Sequence, residues 1–111
     1  MNRRELAEVV AFWQPALRLA DWDIEALPVS RKTMDGDDGE CEAYPDLKEA
    51  TIRVVRGKPS STLVNHEIIA IHELLHCHFE PIRTEENEQR VEAIIEALSR
   101  AFYNLRRSLE G

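Results

Sequence analysis

The sequence predicts a single α+β domain over residues 1–111. Three observations carry that reading. Residues 22–30 and 50–56 alternate apolar and polar side chains, the period of a half-buried strand. Residues 63–79 and 91–109 repeat apolar side chains every three or four positions, the period of a helix. The order of elements along the chain is α-β-β-β-α-α, so the strands come as a block and the last two helices follow it.

The first helix is expected over residues 3–20, where Leu6, Val9, Val10, Trp13 and Leu17 form one stripe. Pro15 lies inside that stripe and is expected to end or kink the helix near Trp13. In residues 22–30, Trp22, Ile24 and Ala26 alternate with Asp23 and Glu25, and Pro28 favours an edge position. Met34–Gly39 has the composition of a loop, 40–44 fits a second short strand, and Pro45-Asp46 fits a turn. The clearest strand is 50–56, with Ile52 and Val54 on one face. Ser60, Ser61 or Thr62 would then cap a helix carrying Leu63, Ile68, Ile71, Leu74, Leu75 and Phe79, which Pro81 stops. Thr84 would cap the last helix, whose stripe holds Val91, Ile94, Ile95, Leu98, Phe102, Leu105 and Leu109.

The chain is 43% hydrophobic and 32% charged, the balance of a water-soluble globule with one modest core. No apolar run approaches the roughly 20 residues of a membrane span. The N-terminus reads Met1-Asn-Arg-Arg-Glu-Leu, unlike a signal peptide. Cys41 and Cys77 form no CxxC pair, so a reducing cytoplasm is the expected compartment. The net charge is -7, and it resides in residues 21–49, which hold ten acids and three bases. Elsewhere acids and bases cancel, so no basic face exists to displace counterions from a nucleic acid.

Residues 72–76 read His-Glu-Leu-Leu-His in the middle of a predicted helix. The i, i+4 spacing places His72 and His76 one turn apart on one face, able to reach a single metal ion together. Glu73 lies beside them, where it can take a proton from a water held by the metal. Zinc lowers the pKa of such a water to about 7. His66 and His78 fall off this face on a helical wheel and are expected to be surface or helix-end residues.

Catalytic zinc usually takes three protein ligands and keeps one position open. Downstream of Cys77 the chain has no Asp, no Cys and only His78, which is off the ligand face, so a downstream ligand must be a glutamate. A short connector over 80–84 would make the last helix antiparallel to the HExxH helix. Glu88 then comes level with His76 and faces it, whereas Glu92 and Glu96 turn progressively toward solvent. Glu88 is therefore the favoured third ligand, with Glu92 next. Cys41, in Gly39-Glu40-Cys41, is a further alternative, since peptide-deformylase-like sites pair HExxH with an upstream cysteine.

With Ile71-His-Glu-Leu-Leu-His76 and Glu88-Gln-Arg-Val91 leading an apolar helix, the chain resembles the zincin metallopeptidases. More narrowly, it is similar to small gluzincin-like proteins of phages and prophages, related in plan to the ImmA/IrrE type. Trp22-Asp-Ile24 and the Ala50-Thr-Ile52 strand fit the same plan. The resemblance covers most of the chain, and HExxH is its specific part. It implies a minimal zincin-like fold: an N-terminal helix, a small three-stranded sheet, the HExxH helix and an antiparallel C-terminal helix. It also implies one zinc ion on His72, His76 and Glu88, with Glu73 as general base in peptide-bond hydrolysis.

Two functions follow as expectations. The first is a zinc-dependent peptidase acting on a protein or peptide that lies along an edge strand such as 50–56. Tyr44, Tyr103 and His78 are the candidates for stabilising its oxyanion. The second is a non-catalytic zincin-like module, whose metal ties helices together and whose acidic 21–49 stretch meets a basic protein partner. Glu73 separates them, because a purely structural metal site has no need of a glutamate there.

Overall fold

The computed structural model describes residues 1–111. The chain is α+β, with α1 (Arg3–Ala16), β1 (Asp23–Val29), β2 (Gly39–Tyr44), β3 (Glu49–Val55), α2 (His66–Phe79) and α3 (Glu88–Glu110). Short 3-10 turns occupy Arg31–Met34 and Glu80–Ile82. No helix is long and apolar enough to cross a membrane.

Helix α1 starts at a capping box, in which Asn2 and Glu5 each accept from the other's backbone N–H. It buries Leu6, Val10 and Trp13, and it runs on to Ala16 with Pro15 in its last turn rather than ending at Trp13. The sheet order is β1-β3-β2, with β1 parallel and β2 antiparallel to β3. Pro28 thus lies on an edge strand, where its missing N–H leaves no ladder bond unmade. The 50–56 segment is the central strand, not an edge. It is flanked on both sides, and Ala50, Ile52 and Val54 bury one face while Val55 is buried at the end of the strand. The edge strand beside α2 and its histidines is β2, so the expectation of a substrate lying along 50–56 as an edge strand does not hold.

Helix α2 is buried on most of its surface: Ile69, Ala70, Ile71, Leu74, Leu75 and Cys77 join the core, and Ile68 is buried beside the cleft. It is capped by Asn65, whose side chain accepts from the N–H of Ile68, and not by residues 60–62. Helix α3 starts after Asn87 rather than Thr84. Thr84 and Asn87 instead exchange hydrogen bonds in the connecting turn, each side chain accepting from the other's backbone N–H. Cross-helix pairs show that α3 runs antiparallel to α2: Arg106 meets Glu67, Arg100 meets the Leu63 carbonyl, and Glu92 meets His76. Along α3 the buried line is Val91, Ile95 and Ser99, whereas Ile94, Leu105 and Leu109 are exposed.

Glu67 joins all three helices at one atom. Its Oε2 accepts from Trp13 Nε1 at 2.7 Å and from Arg106 Nη1 at 2.6 Å. Removing it leaves two half-buried donors without a partner. Glu67→Ala is expected to cost about 2–3 kcal/mol of unfolding free energy, and Glu67→Gln less, read by urea denaturation.

Candidate metal centre

The core anchors of α2 fix which way its polar side chains point. Ile71, Leu74 and Leu75 are held in the core, so His72 and His76 emerge together on the side facing α3. Their ring centroids lie 5.3 Å apart. Glu92, one turn inside α3, spans them: Oε2 is 3.1 Å from His72 Nε2, and Oε1 is 2.8 Å from His76 Nε2. One donor atom from each of His72, His76 and Glu92 falls within 4.8 Å of the others, and the group could hold a metal ion. Two imidazoles and a carboxylate are donors that suit zinc.

The geometry places Glu92, not Glu88, against the histidines. Glu88 is the first residue of α3, and its carboxylate lies 3.7 Å from Arg83. The reason is partly axial. The connector runs through a 3-10 turn and a capping turn to Asn87, so α3 begins later than a Thr84 cap would allow, and the residue level with the histidines is one turn further on. It is partly rotational. Ser99 is fully buried, which turns the packed face of α3 toward Glu92 and away from Ile94. Glu96 also points inward. It accepts from His72 Nδ1 at 3.1 Å, while its other oxygen accepts from Arg100 at 3.0 and 2.9 Å. A carboxylate on Nδ1 fixes the ring and leaves Nε2 as the metal-facing nitrogen.

Glu92→Gln is therefore expected to weaken zinc about 100-fold or more, because it removes the anionic donor. Glu96→Gln is expected to cost about tenfold through the loosened His72 ring. Glu88→Gln is expected to stay within about twofold of the unsubstituted protein, since a contact with Arg83 is all it loses. Competition against a chromophoric chelator reads all three.

Glu73 is 6% exposed and His76 7%. Burial first, then the carboxylates of Glu92, Glu40 and Asp37, hold the Glu73 carboxyl well above the usual carboxylate range. No side-chain hydrogen bond satisfies it within the protein, yet it faces a cleft of about 710 Å³ that His72, His76 and Glu92 also line. Burial likewise pulls His76 below the usual imidazole range, against the opposing pull of Glu92, and so favours the neutral ring that a metal needs. Gly39 on β2 makes room for the acid: a Cβ there would lie 2.8 Å from Glu73 Oε2 and 2.8 Å from Ile69 Cγ2.

The other candidates are elsewhere. Cys41 is on the cleft wall, but the neighbouring Cys77 thiol first, and burial second, push its thiol up, so it keeps its proton and stays out of the donor group. His66 Nε2 donates to the Gly57 carbonyl at 2.7 Å, and His78 Nε2 to the Leu17 carbonyl at 2.6 Å. Tyr44, Tyr103 and His78 do not line the cleft, which removes all three as oxyanion partners; the one arginine that does is Arg83. Arg83 does not stand out in the sequence, and Glu96, expected to turn toward solvent, points inward to His72 instead. The Glu92-x-x-x-Glu96 spacing, which mirrors His72-x-x-x-His76 across an antiparallel helix pair, was the available signal for Glu92 and Glu96.

Compared with protein-family models, with curated proteins and with solved structures, the chain finds no match.

Proposed function

We propose that the protein is a zinc-dependent metallopeptidase of the zincin type, with His72, His76 and Glu92 holding one zinc ion and Glu73 acting as general base. The observation that carries this reading is Glu73 itself: a residue only 6% exposed, whose carboxyl has no hydrogen-bond partner within the protein and opens to the same cleft as the His/His/Glu group. Holding a carboxyl mostly out of water costs free energy, and a structural metal would not require it.

When bound, zinc would supply Lewis acidity to a peptide carbonyl and make water a nucleophile near neutral pH. Glu73 takes the proton from the attacking water at a carboxylate oxygen and passes it to the departing amine nitrogen. Its raised proton affinity suits both halves of that transfer. Glu96 keeps the His72 ring oriented, and Arg100 holds Glu96 in turn, with a further bond to the Leu63 carbonyl at 2.9 Å. Arg83, on the cleft wall, is the cation available to offset negative charge developing on the substrate oxygen. An extended peptide would be held by main-chain bonds along the free edge of β2, beside Gly39.

A second reading rests on the placement of Glu92. Because that residue comes from α3, a metal would also tie α3 to α2, as in a non-catalytic zincin-like module engaging a protein partner. The test is cleavage of a broad peptide library by the zinc-loaded protein, followed by mass spectrometry. Metal-dependent cuts that vanish with a chelator and return with zinc support the peptidase. A stable, zinc-loaded protein that cuts nothing supports the module.

A further inference from the structure

The free edge of β2 carries a second kind of information, namely charge. The Val55 N–H donates to the Asp38 carbonyl at 2.8 Å, which makes Asp38 and Val55 a hydrogen-bonded pair of the antiparallel ladder. Hydrogen-bonded and non-hydrogen-bonded pairs alternate, so in the β2–β3 register Glu40 and Glu42 bond to β3 through their backbones. The N–H and C=O groups of Gly39, Cys41 and Ala43 therefore point away from β3, along an edge that no other strand covers. That edge borders the cleft into which the buried, unpartnered Glu73 opens.

The side chains beside this edge are acidic and incompletely neutralised. Glu40 and Glu42 share one guanidinium, Arg53 Nη1, at 2.9 and 2.6 Å. Asp38 is matched by Arg31 at 2.9 Å, whereas Asp37 makes no ion pair. Net negative charge thus runs along the strand from the cleft mouth outward. A second copy of β2 would set Glu40 and Glu42 against their own kind, and like charges directly opposite each other on paired strands repel. A strand bearing basic side chains meets the opposite situation.

We infer that the substrate of this site is a basic peptide segment that adds to β2 as a fourth strand, with Lys or Arg at alternate positions opposite Glu40 and Glu42. This deepens the peptidase reading and rests on it for the cleft's role. Pairing along Gly39, Cys41 and Ala43 fixes the register, because side chains of an added strand alternate between the same two faces as those of β2. Residues opposite Glu40 and Glu42 share their face and receive their charge. Residues opposite Gly39 and Cys41 point instead toward α2.

The test separates docking from cleavage by using zinc-loaded, full-length Glu73→Gln protein, in which hydrolysis is disabled. The probes are fluorescein-labelled ten-residue peptides with blocked ends: one with Lys at alternate positions, one with the same lysines gathered in a block, and one with Glu at the alternate positions. Fluorescence anisotropy at low ionic strength is expected to rank alternating Lys about tenfold or more tighter than alternating Glu, and tighter than block Lys. That preference is expected to shrink to about threefold or less on adding Glu42→Gln, which keeps the Glu40–Arg53 pair, and to persist on adding Glu8→Gln, an exposed site on α1. Equal affinity for the Lys and Glu peptides, equal affinity for alternating and block Lys, or no binding of any peptide overturns the inference. So does an equal loss with Glu8→Gln, which would mean attraction by net charge alone. Binding of the alternating-Lys peptide that unsubstituted protein fails to cut would remove the peptidase reading and leave the docking strand standing.

Discussion

Replacing His72 or His76 by alanine is expected to abolish zinc binding at sub-micromolar metal. The unsubstituted protein should bind about one zinc per chain, and the variants close to none, since two remaining donors rarely hold the ion. The structure makes the loss larger than one ligand suggests. Glu92 bridges the two rings, so removing either leaves its carboxylate facing one imidazole with room to swing away. Linkage gives a second readout that requires no metal assay. Zinc at about a thousand times its dissociation constant should stabilise the unsubstituted fold by about 4 kcal/mol, and should leave His72→Ala and His76→Ala unmoved in thermal denaturation. Equal zinc-induced stabilisation of protein and variants would place the metal elsewhere.

Glu73→Gln is expected to keep zinc and fold but to lower peptide hydrolysis by a factor of about 10² or more. The amide preserves shape and burial and cannot take the proton. The apo protein offers a complementary measurement. A carboxyl whose folded-state pKa is raised stabilises the fold fully below the unfolded carboxylate pKa, and that contribution is lost as pH rises through the folded value. Apo protein should therefore lose stability from mild acid toward neutrality through this group, and Glu73→Gln should flatten that slope. Unchanged turnover in Glu73→Gln on any peptide the unsubstituted protein cuts would show that another group is the base.

The elements were readable because each one's local signal agrees with its packing. Ile52 and Val54 alternate on a strand buried against helices, and the apolar line of α2 is buried nearly all round, so periodicity alone located both. Helix starts were less readable. Ser60, Ser61 and Thr84 are good caps by type, but Asn65 and Asn87 hold those positions, and the choice depends on where the connecting chain can reach. That shift decided the site. His72, Glu73 and His76 sit within one helix, and their relation follows from helical geometry. The third carboxylate comes from a second helix, so a displacement of its start by three residues exchanges Glu88 for Glu92. Strand order was hidden for a similar reason: β3 looks like any half-buried strand until β1 and β2 are seen on either side of it. Arg83 gave no sequence signal, because its place on the cleft wall comes from the connector's path.

The most direct measurement is a crystal structure of the zinc-loaded protein, with anomalous diffraction recorded above and below the zinc absorption edge. One anomalous peak is expected, about 2.0–2.2 Å from His72 Nε2, His76 Nε2 and a Glu92 carboxylate oxygen, with a further coordination position open to the cleft. A zinc ion ligated by Cys41 or Glu88 in place of Glu92, or one closed off by a fourth protein ligand, would contradict that expectation.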